Sequence, residues 1–172
     1  RIITFNSNHL IRNAGIHYIE MNHKNNTQTS IEEIEIIKKI MNEMIGLQCF
    51  DGDKKRTLEV EDFLIISPFN TQVNKIESEL SKSNIKSPRV GTIDRFQGQQ
   101  ALIGIISMTS SDSESLPRNQ EFFFSKNRLN VAMSRAQVAS IIMFNPNLLN
   151  NVPRNINYLK MMNNFFHLIN YN

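Results

Sequence analysis

The chain has 172 residues, 40% hydrophobic and 20% charged, which is the profile of a soluble globular domain with one sizeable core. Its net charge of +3 is mildly basic, which suits nucleic acid without requiring it. A single cysteine, Cys49, excludes an internal disulfide and fits a reducing, cytoplasmic setting. No apolar run is long enough to span a bilayer and the start has no signal-peptide pattern, so no membrane partner is expected.

The sequence starts at Arg1 rather than Met, which points to a longer protein, and residues 1–14 read as a tether rather than a core element. "GIHYIEM" (15–21) reads as a short strand. His17 and His23 flank Glu20, but alternation along an extended segment does not converge them, and no metal site is predicted. "SIEEIEIIKKIMNEMIG" predicts a helix. Ser30 and Glu33 form a capping-box pattern, Ile34, Ile37, Met41 and Met44 share one face, and Gly46 supplies the stop. Glu32, Glu33 and Glu35 suit the positive end of that helix better than a catalytic carboxylate pair. Cys49 reads as a small buried apolar residue.

"DFLIISP" (62–68) is a continuous apolar run between turn residues, hence a buried parallel strand. "NTQVNKIESELSK" follows as a helix with Val73, Ile76 and Leu80 inward. "PRVGTI" gives another short strand, while "ALIGIISMT" and "VASIIMFN" give two more buried ones. The polar loop "SSDSESLPRNQE" precedes "FFFSKNRLNVAMSRA", whose second half is predicted helical. In "NINYLKMMNNFFHLIN", Ile156, Leu159, Met162, Phe165 and Ile169 form a stripe for core packing. Strands alternating with helices predict an α/β domain whose mostly parallel sheet carries helices on both faces.

Three polar clusters are expected at or near the carboxyl ends of the strands, where open α/β sheets bind ligands. They are "SPFNTQV" (67–73), "VGTIDRFQGQQ" (90–100) and "NRLNVAMSRAQ" (127–137). Singly they have plain explanations: Ser67 and Asn70 as helix caps, Gly91 and Gly98 as turn residues, Arg128 and Arg135 as surface charge. Arg128 and Arg135 are seven residues apart, close to two helical turns, so one helix would present both to one side.

In order and wording these clusters resemble motifs IV, V and VI of superfamily 1 helicases. The branch is the one that contains the nonsense-mediated-decay helicase and the Okazaki-fragment nuclease-helicase. The usual wording there is close to "SPYNAQV", "VGTVDKFQGQE" and "NRLNVALSRAR". The stretch from "SMTSSDSE" to "AMSRA" also looks like bacterial proteins that join a RecB-like nuclease to such a helicase. The resemblance covers roughly residues 15–150 and implies a RecA-like fold. No G-x-x-x-x-G-K-[ST] occurs in the chain, so it resembles the second of two RecA-like domains, lacking its own P-loop. Residues 15–172 would form that domain with a C-terminal helix, partnered by a preceding RecA-like domain in the same chain.

The resemblance implies ATP and Mg²⁺ as cofactors of the whole enzyme, with neither bound tightly by this chain, and single-stranded DNA as substrate, RNA being the alternative. Arg135 matches the arginine finger, with Arg128 in support. Gln97, Gly98 and Gln100 would border the ATP cleft. Gly91, Thr92, Pro68, Phe69 and Asn70 would line the nucleic-acid groove, Phe69 either stacking on a base or serving as a core aromatic. Asp94 and Arg95 either pair internally or contact the nucleic-acid backbone. Two positions depart from the pattern: Gln100 stands where Glu is usual, and Gln137 where Arg or Lys is usual. The rival expectations are a nucleic-acid-binding module without ATPase activity, a degenerate helicase half, and another doubly wound nucleotide-binding domain, which predicts a glycine-rich turn after the first strand that "MNHKNNTQTS" does not supply.

Overall fold

A computed structural model describes residues 2–3, 11, 13–51, 54–112 and 126–149 of the chain. Among the described residues, eight strands fall into two sheets. In the larger sheet, β2 (Gly15–Glu20), β5 (Phe63–Ile66), β6 (Val90–Gly91), β7 (Ala101–Ser107) and β8 (Ala136–Phe144) run in the order β2-β8-β7-β5-β6, every pair parallel. The smaller sheet is antiparallel: β1 (Ile2–Ile3), β3 (Gln48–Asp51) and β4 (Lys54–Thr57), in the order β1-β3-β4.

The apolar runs become the central strands because side chains on both faces need cover. Helices α1 (Ile31–Met44) and α2 (Asn70–Lys82) cover one face. There Phe63, Ile65, Ile103, Ile105, Ile141 and Met143 pack with Ile34, Ile37, Ile40, Val73, Ile76 and Leu80. Helix α3 (Lys126–Met133) and the 3₁₀ turn Ile93–Phe96 cover the other. Leu64, Ile66, Ile106 and Ile142 meet Ile93, Phe96, Leu129 and Ala132 on that side. The alternation along β5 assigns neighbouring residues to opposite cores, as the two-residue strand period demands.

Three expectations change. Residues 1–14 are more than a tether where they are described: Ile11 is 2% exposed within the main core, and Ile2–Ile3 pair with Phe50 and Cys49. The capping box is half made. Ser30 accepts from the Glu33 N–H at 3.2 Å, but the Ser30 N–H donates to Gln72 Oε1 instead, and Glu33 turns into the interior. Third, the β3–β4 pair has no counterpart in the sequence reading. Gly46 does sit past the end of α1, with φ +89°. The apolar stripe from Ile156 to Ile169 and most of the polar loop before α3 lie outside the described residues.

Candidate nucleotide and nucleic-acid interface

All five strands of the larger sheet point one way, so their carboxyl ends form one edge. Ser67 follows β5, Thr92 follows β6 and Thr109 lies just beyond β7. Ile66 is in register with Gly91 on one side and Ile106 on the other, and the Ser67 N–H donates to the Gly91 carbonyl at 3.1 Å. Thr92 is half-buried with its backbone extended at φ −78°. Pro68 is also partly exposed, and Asn70 stands exposed at the first position of α2. Phe69 takes the N-cap position with no side-chain cap; its ring packs against the second core cluster while staying partly exposed. Neither Ser67 nor Asn70 caps α2, so the plain explanation for those two residues fails. Ser67 is instead fully buried and shares a hydrogen bond with Thr109 Oγ1 at 3.2 Å.

The two glycines do different work. Gly98 has φ +79°, a left-handed turn that disfavours any side chain. At Gly91 the conformation is ordinary, but a Cβ would lie 2.6 Å from Arg95 Cδ and 3.0 Å from the Phe96 ring. Gly91 is a packing requirement, and it lets Arg95 fold back to donate to the Val90 carbonyl at 2.9 Å and to Glu77 at 3.4 Å. Asp94 pairs with Arg128, Oδ2 to Nη1, at 3.5 Å.

Arg128 and Arg135 line one concavity with Ile93, Asp94, Gln97 and Val131. The route differs from the one expected. Helix α3 ends at Met133, and Arg135 sits in the following turn. Its Nε donates to the Val131 carbonyl at 3.1 Å and its Nη1 to the Gln99 carbonyl at 3.4 Å. Its own carbonyl accepts from the Ala101 N–H at 3.0 Å. The concavity lies on the face covered by α3, with Ile93, Asp94 and Arg128 toward the carboxyl edge and Arg135 toward the amino ends of β7 and β8. Gln100 lies beside it: its side chain accepts from Gln137 at 2.8 Å, while its carbonyl accepts from Arg89 at 3.2 Å.

Residues 92–100 connect the two regions. They leave the carboxyl end of β6, cross the sheet over Leu64 and Ile66 through the turn Ile93–Phe96, and arrive at the amino end of β7. One short loop thus carries Thr92 at one end of the sheet and the Gln99–Gln100 contacts at the other. Two buried side chains, Glu33 and His23, were missed as functional candidates. Glu33 falls in the buried stripe of α1 with Ile37, Ile40 and Met44. A carboxylate in an apolar stripe was the signal that the capping-box pattern masked.

A parallel five-stranded sheet with helices on both faces, lacking a P-loop sequence, defines a RecA-like α/β domain. The chain belongs to the AAA domain family, whose model matches residues 4–147. It is similar to the putative helicase MOV-10 of Gallus gallus, 32% identical over 133 residues, covering 70% of this chain and 14% of that protein. It is also similar to the probable RNA helicase armi of Drosophila melanogaster, 37% identical over 89 residues, 49% of this chain and 8% of the relative. The DNA replication ATP-dependent helicase/nuclease DNA2 of Bos taurus is 32% identical over 82 residues, 48% of this chain and 8% of its own length. The domain is superfamily 1 helicase-like, and it spans only a small part of the length of the relatives it matches.

Proposed function

We propose that this chain is the second, C-terminal RecA-like motor domain of an ATP-dependent superfamily 1 helicase, with residues 15–172 as the domain and a preceding RecA-like domain supplying the P-loop. The observation that carries the reading is the meeting of Arg128, Arg135 and Gln97 around one concavity. Phosphoryl transfer spreads negative charge over the γ-phosphate oxygens, and a supplied arginine accelerates related reactions by about 10³–10⁵. Arginine suits the role because it stays charged and offers a planar fork of donors. The Arg128–Asp94 pair is solvent-exposed on both sides, so it is held by only about 0–1 kcal/mol and yields readily to a phosphate oxygen. Mg²⁺, when bound, neutralises phosphate charge. The share proposed for this domain is the two guanidinium groups and the Gln97 amide.

At the carboxyl edge, Thr92 with Gly91, and Pro68, Phe69 and Asn70, would hold the backbone of a single strand without reading its sequence. The 92–100 loop then joins groove and cleft, so that closure around ATP moves the strand. Single-stranded DNA is the substrate implied by the resemblance to bacterial nuclease-joined helicases, and a cytoplasmic location goes with it. RNA is the direct competitor, since the Drosophila relative is named an RNA helicase. By itself the chain is expected to hydrolyse no ATP. The test is ATP turnover by the protein as its gene encodes it, with single-stranded DNA or RNA added. Stimulated turnover that collapses in Arg135→Ala supports the motor reading. Strand binding with no turnover in the wild type supports a binding module or a degenerate half, a reading favoured by the existing contacts of Arg135 to Val131 and Gln99.

A further inference from the structure

Beneath the carboxyl edge lies a buried polar network. Glu33 is 0% exposed and His23 3% exposed. The Thr109 N–H donates to both Glu33 carboxylate oxygens, each at 3.0 Å, and the Ser107 hydroxyl donates to Glu33 Oε2. Glu33 Oε1 lies 3.2 Å from His23 Nε2, so the imidazole presents an N–H there. His23 Nδ1 meets Ser111 Oγ at 2.8 Å, and Asn145 Nδ2 donates to the His23 carbonyl at 2.7 Å. Gln72, buried at the start of α2, donates to Ser107 Oγ at 3.1 Å and to the Ser30 carbonyl at 3.1 Å.

A buried carboxylate is costly unless its oxygens are met by donors, and here the donors belong to the ends of several elements. Thr109 has φ +71°, a left-handed conformation that a β-branched residue adopts only under constraint. The constraint is visible: its N–H is clamped by Glu33, and its Oγ1 meets Ser67 Oγ at 3.2 Å. Ser67 leads directly into Pro68, Phe69 and Asn70. The chain of contacts runs from Glu33 through Thr109 to Ser67, with Gln72 closing it from α2.

We infer that Glu33 is a positioning residue for the nucleic-acid groove, acting through Thr109 and Ser67 to fix the "SPFN" segment at the carboxyl edge. It touches no substrate, and its role rests on the groove reading given above. An uncharged amide at this position keeps the shape but cannot accept from Thr109 with two anionic oxygens, and it leaves His23 and Ser107 competing for one acceptor.

Glu33→Gln is the decisive variant, measured by fluorescence anisotropy with oligo-dT and oligo-U, together with thermal melting and amide exchange. Glu33→Asp serves as the second variant, since it retains the charge and shortens the reach. A roughly tenfold weaker Kd for Glu33→Gln is expected, the scale of one lost charge-assisted contact set. Amide exchange should speed up at Thr109 and at residues 67–70 while α2 beyond them stays protected. Glu33→Asp should recover part of the affinity. A folded Glu33→Gln chain with wild-type Kd, alongside weakened Thr92→Ala, overturns the positioning role and leaves the groove reading intact. Failure of the wild type to bind either oligonucleotide overturns both. If Glu33→Gln melts, Glu33→Asp with unchanged affinity and unchanged exchange at Thr109 overturns the inference just as well.

Discussion

Gln137 donates its side-chain amide to the Gln100 side-chain oxygen over 2.8 Å. These are the two positions at which the chain departs from the usual "FQGQE" and "SRAR" wording, and they face each other. Where Glu and Arg would form an ion pair, two neutral amides form a hydrogen bond of the same reach. The pair lies beside the turn that carries Arg135.

A double-mutant cycle follows from that geometry. Gln100→Glu and Gln137→Arg, each alone, should cost little because both sites are exposed. Combined, they should recover a coupling of about 0.2–1 kcal/mol, the range of an exposed ion pair. Urea unfolding of the four proteins measures it. Strict additivity would mean that the two side chains do not meet in solution.

Arg135 should matter for chemistry and little for stability. Among the described residues its head donates to two backbone carbonyls, so Arg135→Ala should move chain stability by no more than about 0.5 kcal/mol. In the full protein, strand-stimulated ATP turnover should drop by about 10³ or more, and Arg135→Lys should restore little because a point charge lacks the fork. A large melting shift with normal turnover would make the arginine a structural residue.

Strand binding by this chain should be weak and modestly salt-sensitive. One edge of a groove meets few phosphates, so the log–log salt slope should be roughly −1 to −2, at about −0.7 per phosphate on a single strand. Thr92→Ala should weaken binding without altering melting. A steep slope would place a larger basic surface at the interface than Thr92 and its neighbours offer.

Gly91→Ala tests the packing reading of that glycine. The added Cβ must displace Arg95 and press on the buried Phe96 ring, so a loss of about 1–3 kcal/mol is expected, as for overpacking generally. A neutral result in thermal melting would show that Arg95 alone yields.

Acid titration should reveal the start of α1. Burial pushes the Glu32 carboxyl up, but hydrogen bonds from its own backbone N–H, from Asn26 and from Ser30 outweigh it, and the group is held below its ordinary range. A depressed carboxyl contributes stability that is present above the unfolded-state pKa and is lost as pH falls through the lower folded value. The melting difference between wild type and Glu32→Gln should therefore exist at neutral pH and shrink toward zero in strong acid. A difference constant across that range would mean that the Asn26 and Ser30 contacts do not favour the charged Glu32.

Much of the sheet was legible because parallel strands covered on both faces must be apolar throughout, as "FLII" and "ALIGIIS" are. The inward face of α1 was legible for the same reason. The β3–β4 pair was not: "KKRT" carries charge at most positions, and only Cys49, packed on the main core, marks the burial of β3. The end of α3 was also hidden. "MSRA" is acceptable helix sequence, and the helix stops there because Ala136 must enter β8 opposite Ala101, a tertiary demand with no local mark. Glu33 was read as a cap because its spacing from Ser30 fits one, whereas the carboxylate serves partners 74 and 76 residues away.

The Arg135 carbonyl accepts from the first residue of β7, so the backbone of the candidate finger is itself a rung of the sheet's ladder. It cannot swing on a flexible stalk. Advance or withdrawal is open to it only by rotation about side-chain bonds, over a few ångströms, or by displacement of the whole slab of strands to which it is bolted. In the proposed motor, the stroke would come from the slab's movement as a unit, and its timing from where the guanidinium points.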